Sequence, residues 1–272
     1  MVVLNNGNLA GGYFSLKIWN KDDDSEIRTL SENAFIYSLA VLSNGNLACG
    51  FAKEIKIWNT ETGALIRTLI GHSDKVWSLA VLPNGYLASG SGDSSIKIWN
   101  TDTGMEIITL KGQTDQVCSL AVLPNGHLAT GTKGEIKIFV TDTGALIRTL
   151  TGHTDFVIAL AVLRNAYLAS ASNDYLIKIW NTETGVEIRT LSGHTGLVYS
   201  LVELPNGYLA SGSLDKTIKI WSMETGMEIK TLTGHTDYVY TLAVLPNGYL
   251  ASGSWDKTIK IWSTTQQKNL FV

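Results

Sequence analysis

Cysteine, proline and charge are all scarce in this chain. Two cysteines in 272 residues, Cys49 and Cys118, are too few for a disulfide scaffold and fit a reducing, cytoplasmic setting. Four prolines accompany 26 glycines, a balance that fits many tight turns. No apolar run approaches the roughly 18 residues that a membrane-spanning helix needs. The opening MVVLNNGN has neither the basic stretch nor the long apolar stretch of a secretory signal. Charged residues make up 17%, and 21 basic against 24 acidic side chains leave a net charge of −3. That balance argues against a nucleic-acid binder whose affinity comes from neutralising phosphates. What the chain does have is apolar material for a core, at 44%, so a soluble globular protein is expected. Length alone allows one large domain or two ordinary ones.

Internal repetition decides between them. The phrase I-K-I-W, or a close variant, ends at Trp19, Trp58, Trp99, Phe139, Trp180, Trp221 and Trp262, at intervals of 39, 41, 40, 41, 41 and 41 residues. The last two copies, GHTGLVYSLVELPNGYLASGSLDKTIKIWS and GHTDYVYTLAVLPNGYLASGSWDKTIKIWS, differ at six of thirty positions. Seven copies of one unit fill the chain, with no linker or second domain between them.

Each unit reads as four short strands. In the third, residues 76–81 are apolar on both faces, as a strand covered on two sides should be. Pro83-Asn84-Gly85 turns the chain, residues 86–91 form a second strand, and Gly92-Asp93-Ser94 turns again. Residues 96–100 form a third strand, 101–104 a further turn, and 106–110 an alternating outer strand. A four-stranded sheet cannot bury both faces alone. Stacking such units around an axis covers each face with a neighbour. The expectation is an all-β fold, a seven-bladed β-propeller of four-stranded antiparallel blades, forming one domain over residues 1–272.

Gly-His, then S-G-S-x-D, then I-K-I-W, repeated at this period, resembles the WD-repeat family over essentially the whole chain. The resemblance implies a hydrogen-bonded tetrad in each blade. Complete sets are His72, Ser89, Asp93 and Trp99; His153, Ser170, Asp174 and Trp180; His194, Ser211, Asp215 and Trp221; and His235, Ser252, Asp256 and Trp262. Ser91 shares a strand face with Ser89 and is the alternative hydroxyl. Three departures stand out. The third strand ends in Trp-Asn or Trp-Ser rather than Trp-Asp. The fourth unit has Gln113 for His, Phe139 for Trp and no turn Asp. The first two have Gly11 and Cys49 at the hydroxyl position. Units one, two and four are therefore expected to hold by packing alone and to be the least rigid.

The first unit keeps only the tail of its innermost strand, since Val2-Val3-Leu4 aligns with Ala80-Val81-Leu82. At the other end residues 268–272 align with an outer strand. Either the ring closes by face packing between units one and seven, or Met1 begins an excerpt of a longer chain.

No enzyme emerges from these residues. Ser, His and Asp recur in four units, whereas catalysis needs one exposed nucleophile and one oxyanion hole. The four Gly-His histidines lie on separate units, too far apart for a zinc ion with ligands at about 2 Å. No phosphate-binding glycine motif is present, and neither cofactor nor metal is expected. His127 stands where other units have Tyr86, Tyr208 or Tyr249 and reads as a surface residue. Third-strand lysines 17, 56, 97, 137, 178, 219 and 260 read as a solvated rim paired with outer-strand glutamates such as Glu106, Glu187 and Glu228.

In a scaffold repeated almost verbatim, the positions that differ are informative. The first reads Phe35, Lys75, Gln116, Phe156, Leu197 and Tyr238 in units two to seven. The second, two residues on, reads Tyr37, Trp77, Cys118, Ile158, Tyr199 and Tyr240. The third, before the turn Asp, reads Gly92, Asn173, Leu214 and Trp255. By the family's geometry all three open onto one face around the central channel. A partner-binding face of Phe35, Tyr37, Lys75, Trp77, Phe156, Tyr199, Leu214, Tyr238, Tyr240 and Trp255 is expected, because buried aromatics supply interface hot spots. Packing between units is the alternative, above all for Ile158 and Cys118. The function expected is a monomeric, non-enzymatic scaffold, an adaptor or sensor for a protein or peptide partner. Alternatives are a small-ligand or glycan-binding propeller, and a recently amplified or engineered repeat without an evolved partner.

Overall fold

A computed structural model describes residues 1–263 apart from 13, 24, 32 and 33. Every helix or strand among the described residues is a β-strand, and none of them forms a helix able to cross a membrane. Strands pair antiparallel with their sequence neighbours, in the meander that short turns enforce. The third unit shows the pattern: Val76–Val81, Leu87–Ser91, Ile96–Trp99 and Glu106–Leu110 lie side by side in that order. Glycine enables the first turn, since Gly85 takes φ +84° after Pro83-Asn84, a region closed to most side chains. Asn84 Oδ1 accepts from Tyr86 N at 3.0 Å and fixes the same turn.

Burial is highest in the two middle strands and falls off towards both the innermost strand, where Val76–Val81 buries only Val76 fully, and the outer one. Glu106–Leu110 buries only Leu110 fully, whereas Leu87–Ser91 is buried at every residue. The second strand carries mostly small residues (Ala88, Ser89, Gly90, Ser91), which let flanking sheets approach closely. Core clusters straddle successive units. Ala48, Ile55, Ile57 and Leu69 of unit two pack with Val76, Leu87 and Trp99 of unit three. The same handover brings Phe139, Trp180, Trp221 and Trp262 against the preceding sheet. Burying one such ring contributes roughly 2–3 kcal/mol, so no unit is stable without its neighbour. Units one and seven also adjoin, where the Met1 amino group donates to Thr241 Oγ1 at 3.1 Å.

Two features depart from four separate strands per unit. Units four and five share a seven-stranded sheet, because Leu146–Val162 runs unbroken from the outer strand of one to the inner strand of the next. In unit four the third strand begins at Lys133, and its start pairs with Thr151 and Phe156 of the connection. The last sheet has three described strands; the outer strand expected at 268–272 lies outside the described residues. At the start, the innermost strand is Val2–Val3 alone.

Candidate functional site

The Gly-His histidines are held from both ring nitrogens. His72 Nε2 lies 2.7 Å from Ser89 Oγ, and Nδ1 lies 2.9 Å from Asp93 Oδ2, while Trp99 Nε1 donates to Ser89 Oγ at 2.8 Å. Units five, six and seven repeat this with His153, Asp174, Ser170 and Trp180, His194, Asp215, Ser211 and Trp221, and His235, Asp256, Ser252 and Trp262. Indole N–H can only donate and an ionised carboxylate can only accept, so the chain has one direction. Trp gives to Ser, Ser gives to His Nε2, and His Nδ1–H gives to Asp. Ser91 takes a separate role, donating to Asp74 O and accepting from Asp93 N. The hydroxyl of Ser89 therefore belongs to the network and that of Ser91 to the neighbouring turn.

Electrostatics agree with that direction. Burial pushes His72 and His153 below the usual imidazole range despite their Asp partners, which keeps them neutral. Burial would raise Asp93, but hydrogen bonds from Ser95, Ser73 N and His72 outweigh it and hold the carboxyl at about 2. A serine whose proton is committed to a buried histidine, in a relay repeated in four separate units, is a structural strut. Among the described residues no group of three or more His, Cys, Asp or Glu could hold a metal ion.

The degenerate units show what the missing groups cost. In unit two, Cys49 offers no hydroxyl and Trp58 Nε1 is buried without a hydrogen-bond partner among the described residues. In unit four, packing is not the whole account. Gln113 Nε2 reaches Thr130 Oγ1 at a long 3.4 Å, and Lys137 Nζ donates to Gly112 O at 2.8 Å. The lysine row also differs from a uniformly solvated rim. Lys137 and Lys178 are buried, and cross-strand pairs Lys97–Glu106 and Lys178–Glu187 close at 2.8 Å. Where leucine replaces that outer-strand glutamate, the lysine turns to its own strand, in Lys56–Glu54 at 2.9 Å and Lys137–Glu135 at 3.4 Å. His127 is half-buried beside a cavity of about 240 Å³ between units three and four.

Sequence reasoning missed a second inter-unit device. Arg67 donates from both terminal nitrogens to Thr103 O and Asp102 O of the next unit, and Arg28, Arg148 and Arg189 make the equivalent pair. The signal was present as the recurring I-R-T-L of the outer strand; only its target was invisible.

The positions that vary between units do converge, through the backbone. In units three, five, six and seven the third position donates its N–H to the carbonyl of the first: Gly92 to Lys75, Asn173 to Phe156, Leu214 to Leu197 and Trp255 to Tyr238. Second positions of adjacent units then touch. Tyr199 and Tyr240 stack at 4.2 Å and 13°, and Trp255 continues the stack on Tyr240 at 5.9 Å and 23°. Tyr238 flanks Trp255 at 6.1 Å. On units two and three, Tyr37 meets Trp77 edge-on at 5.0 Å, with Lys75 Nζ 5.2 Å from the indole centre. Phe35 packs edge-on against Phe14 at 5.1 Å, and Lys133 lies over Phe156 at 5.8 Å; neither Phe14 nor Lys133 was singled out from sequence. Leu214 is half-buried against Gly196. The aromatic positions thus form two clusters, one on units two and three and one on units six and seven, with Phe156 apart from both.

The family model described as "WD domain, G-beta repeat" matches residues 63–100, 104–139, 144–181, 185–222 and 226–263. The chain belongs to the WD40 family. Each matched WD40 segment takes the outer strand of one sheet and three strands of the next, the same span that the straddling cores cover. The chain resembles the crystal structure of the WD40 beta propeller domain of Doa1, with TM-score 0.86 and 29% identity over 97% of this chain and 92% of that one. Over 96 residues it is 31% identical to "Ubiquitin homeostasis protein lub1" of Schizosaccharomyces pombe, covering 32% of this chain and 13% of that protein. Over another 96-residue match it is 36% identical to Striatin of Mus musculus, covering 31% of this chain and 12% of that protein. The matched stretch thus spans only a small part of either curated relative's length.

Proposed function

We propose that this WD40 protein is a monomeric, single-domain propeller of seven blades over residues 1–272, and a non-enzymatic scaffold for a protein or peptide partner. The docking face is the set of variable positions: Phe35, Tyr37, Lys75, Trp77, Phe156, Tyr199, Leu214, Tyr238, Tyr240 and Trp255. The observation that carries this reading is the stack of Tyr199, Tyr240 and Trp255, with Trp255 still 45% exposed. A scaffold otherwise copied from unit to unit places its largest differing rings together, where they offer broad apolar area at low entropic cost. Two polar atoms at the same positions, Trp77 Nε1 and Asn173 Oδ1, are buried without a partner among the described residues. Two cysteines, both free, favour a cytoplasmic setting.

The test is capture from a cell lysate, read by mass spectrometry. The intact protein is compared with a Trp77→Ala, Tyr199→Ala, Tyr240→Ala, Trp255→Ala variant of matched thermal stability. A protein retained by the first and lost by the second is the expected result. Equal capture by both moves the interface to the rim or the opposite face. Absence of specific capture sinks the adaptor reading and turns attention to small ligands, glycans among them.

A further inference from the structure

Among the described residues three lysines lie over aromatic rings, and their surroundings differ. Lys56 Nζ sits 5.2 Å from the centre of the Phe51 ring and also pairs with Glu54 at 2.9 Å. Lys75 Nζ sits 5.2 Å from the Trp77 indole and 5.9 Å from the Tyr37 ring, and Lys133 Nζ sits 5.8 Å from the Phe156 ring. Neither of these last two ammonium groups has an ion pair or hydrogen bond among the described residues. Asp74, Asp115 and Asp155 stand one position before Lys75, Gln116 and Phe156. Each turns a carboxylate oxygen back onto the next backbone N–H, at 2.7, 2.8 and 2.7 Å, rather than onto a lysine.

Backbone bonds put Lys75 and Lys133 at the same end of neighbouring sheets. Gly92 N donates to Lys75 O, Val117 N to Ser91 O, Cys118 N to Gly131 O and Val157 N to Thr132 O, each at 2.9 Å. Every one of these bonds joins the start of an inner strand to the end of a second strand. Along that chain of bonds Gln116 and Cys118 of unit four stand between the two lysines, and neither carries a ring. The stretch therefore has an ammonium on an aromatic support at each end and a ring-free middle. Lys133 is exposed and Lys75 half-buried.

We propose that this stretch reads carboxylates: it docks an acidic segment of the partner polypeptide, with one Asp or Glu on Lys75, another on Lys133, and the chain between them crossing Gln116 and Cys118. The proposal rests on the reading that this face docks a polypeptide, and it names the chemistry of the segment. A ring face attracts an ammonium without neutralising it, so the N–H donors stay available to a carboxylate. Surface ion pairs ordinarily contribute little, because two long side chains must be fixed in one geometry. Here the rings already restrict each lysine, so pairing costs less conformational entropy. Lys56 finds its counter-ion within the chain; for Lys75 and Lys133 the partner brings it. A basic segment is repelled at both ends.

The test is selection from a displayed library of random linear peptides on the full-length protein, followed by titration of an enriched peptide by fluorescence anisotropy. Enriched sequences should carry at least two acidic residues. Lys75→Glu and Lys133→Glu should each weaken the selected peptide by about fivefold, as for a partly shielded ion pair. Exchanging the matching peptide acid for Lys should restore binding to that variant and to no other. Lys230→Glu makes the same charge change on the outer strand Glu228–Leu232 and should leave binding unchanged. Enriched peptides without acidic residues, or acidic ones indifferent to both lysines, overturn the proposal. If such peptides are nevertheless lost with Trp77→Ala or Tyr240→Ala, the docking reading survives. Failure to enrich any peptide overturns both.

Discussion

The guanidinium of Arg67 spans the boundary between two units, with one terminal nitrogen 3.0 Å from Thr103 O and the other 2.7 Å from Asp102 O. The contact ties an outer strand to the last turn of the following unit, far from the apolar core. Unit three has Ile108 at the position of Arg67, and there the turn glycine, Gly144, faces the side chains of Leu110 and Ile108 instead.

Replacing Arg67 with isoleucine should therefore cost about 1 kcal/mol, the scale of a half-exposed charged hydrogen-bond pair. Ile108→Arg should recover a similar amount by reaching the carbonyls of residues 142 and 143. Equilibrium urea denaturation reads both. An unchanged midpoint for Arg67→Ile would mean the strap only decorates the surface.

Ser170 bridges a donor, Trp180 Nε1, and an acceptor, His153 Nε2, both buried. Ser170→Ala leaves both unmade and should destabilise by roughly 2–3 kcal/mol. Cys49→Ser should act in reverse, because it gives buried Trp58 Nε1 an acceptor at the equivalent position, for a gain of about 1 kcal/mol. Thermal and urea unfolding of the two variants give opposite shifts if the network is the strut described here.

Acid should weaken the protein in two stages. His72 and His153 sit below their ordinary value in the folded state. As pH drops through about 6.5, the unfolded chain takes up their protons first and is favoured. Asp93 is depressed to about 2; its contribution is fully present above about 4 and is lost as pH falls towards 2. Denaturation midpoints between pH 8 and pH 3 should decline across both windows. His72→Gln together with His153→Gln should flatten the upper stage relative to the parent, and an upper stage of equal slope in that variant would refute the assignment.

Amide exchange should be fastest in units one, two and four. These lack the Trp–Ser–His–Asp relay; unit four substitutes a long Gln113–Thr130 contact and the Lys137–Gly112 bond, and in unit two the Trp58 indole N–H has no partner among the described residues. The shared seven-stranded sheet should lend unit four some protection along Leu146–Val162. Uniform exchange in every unit would show that packing alone sets local stability.

Sequence alone disclosed the repeat and the strand-turn-strand rhythm, because both are spaced by local geometry; the residues of each relay followed from the resemblance to the WD-repeat family. Alternating apolar residues mark strands, and Pro-Asn-Gly marks a turn whose backbone only certain residues adopt. A motif written four times announces one structural role, and the family resemblance paired His72 with Asp93 across 20 intervening residues.

Tertiary structure decided whatever depended on two units meeting. That Arg67 finds Thr103, that Tyr199 lies parallel to Tyr240, and that Leu146–Val162 joins two units into one sheet are consequences of how neighbouring sheets are rotated and spaced. No residue encodes that rotation locally; it emerges from side chains filling the space between sheets at close-packed density. The choice between Ser89 and Ser91 shows the same division. Strand alternation gives both the same face, and only the approach of His72 from the preceding connection selects one.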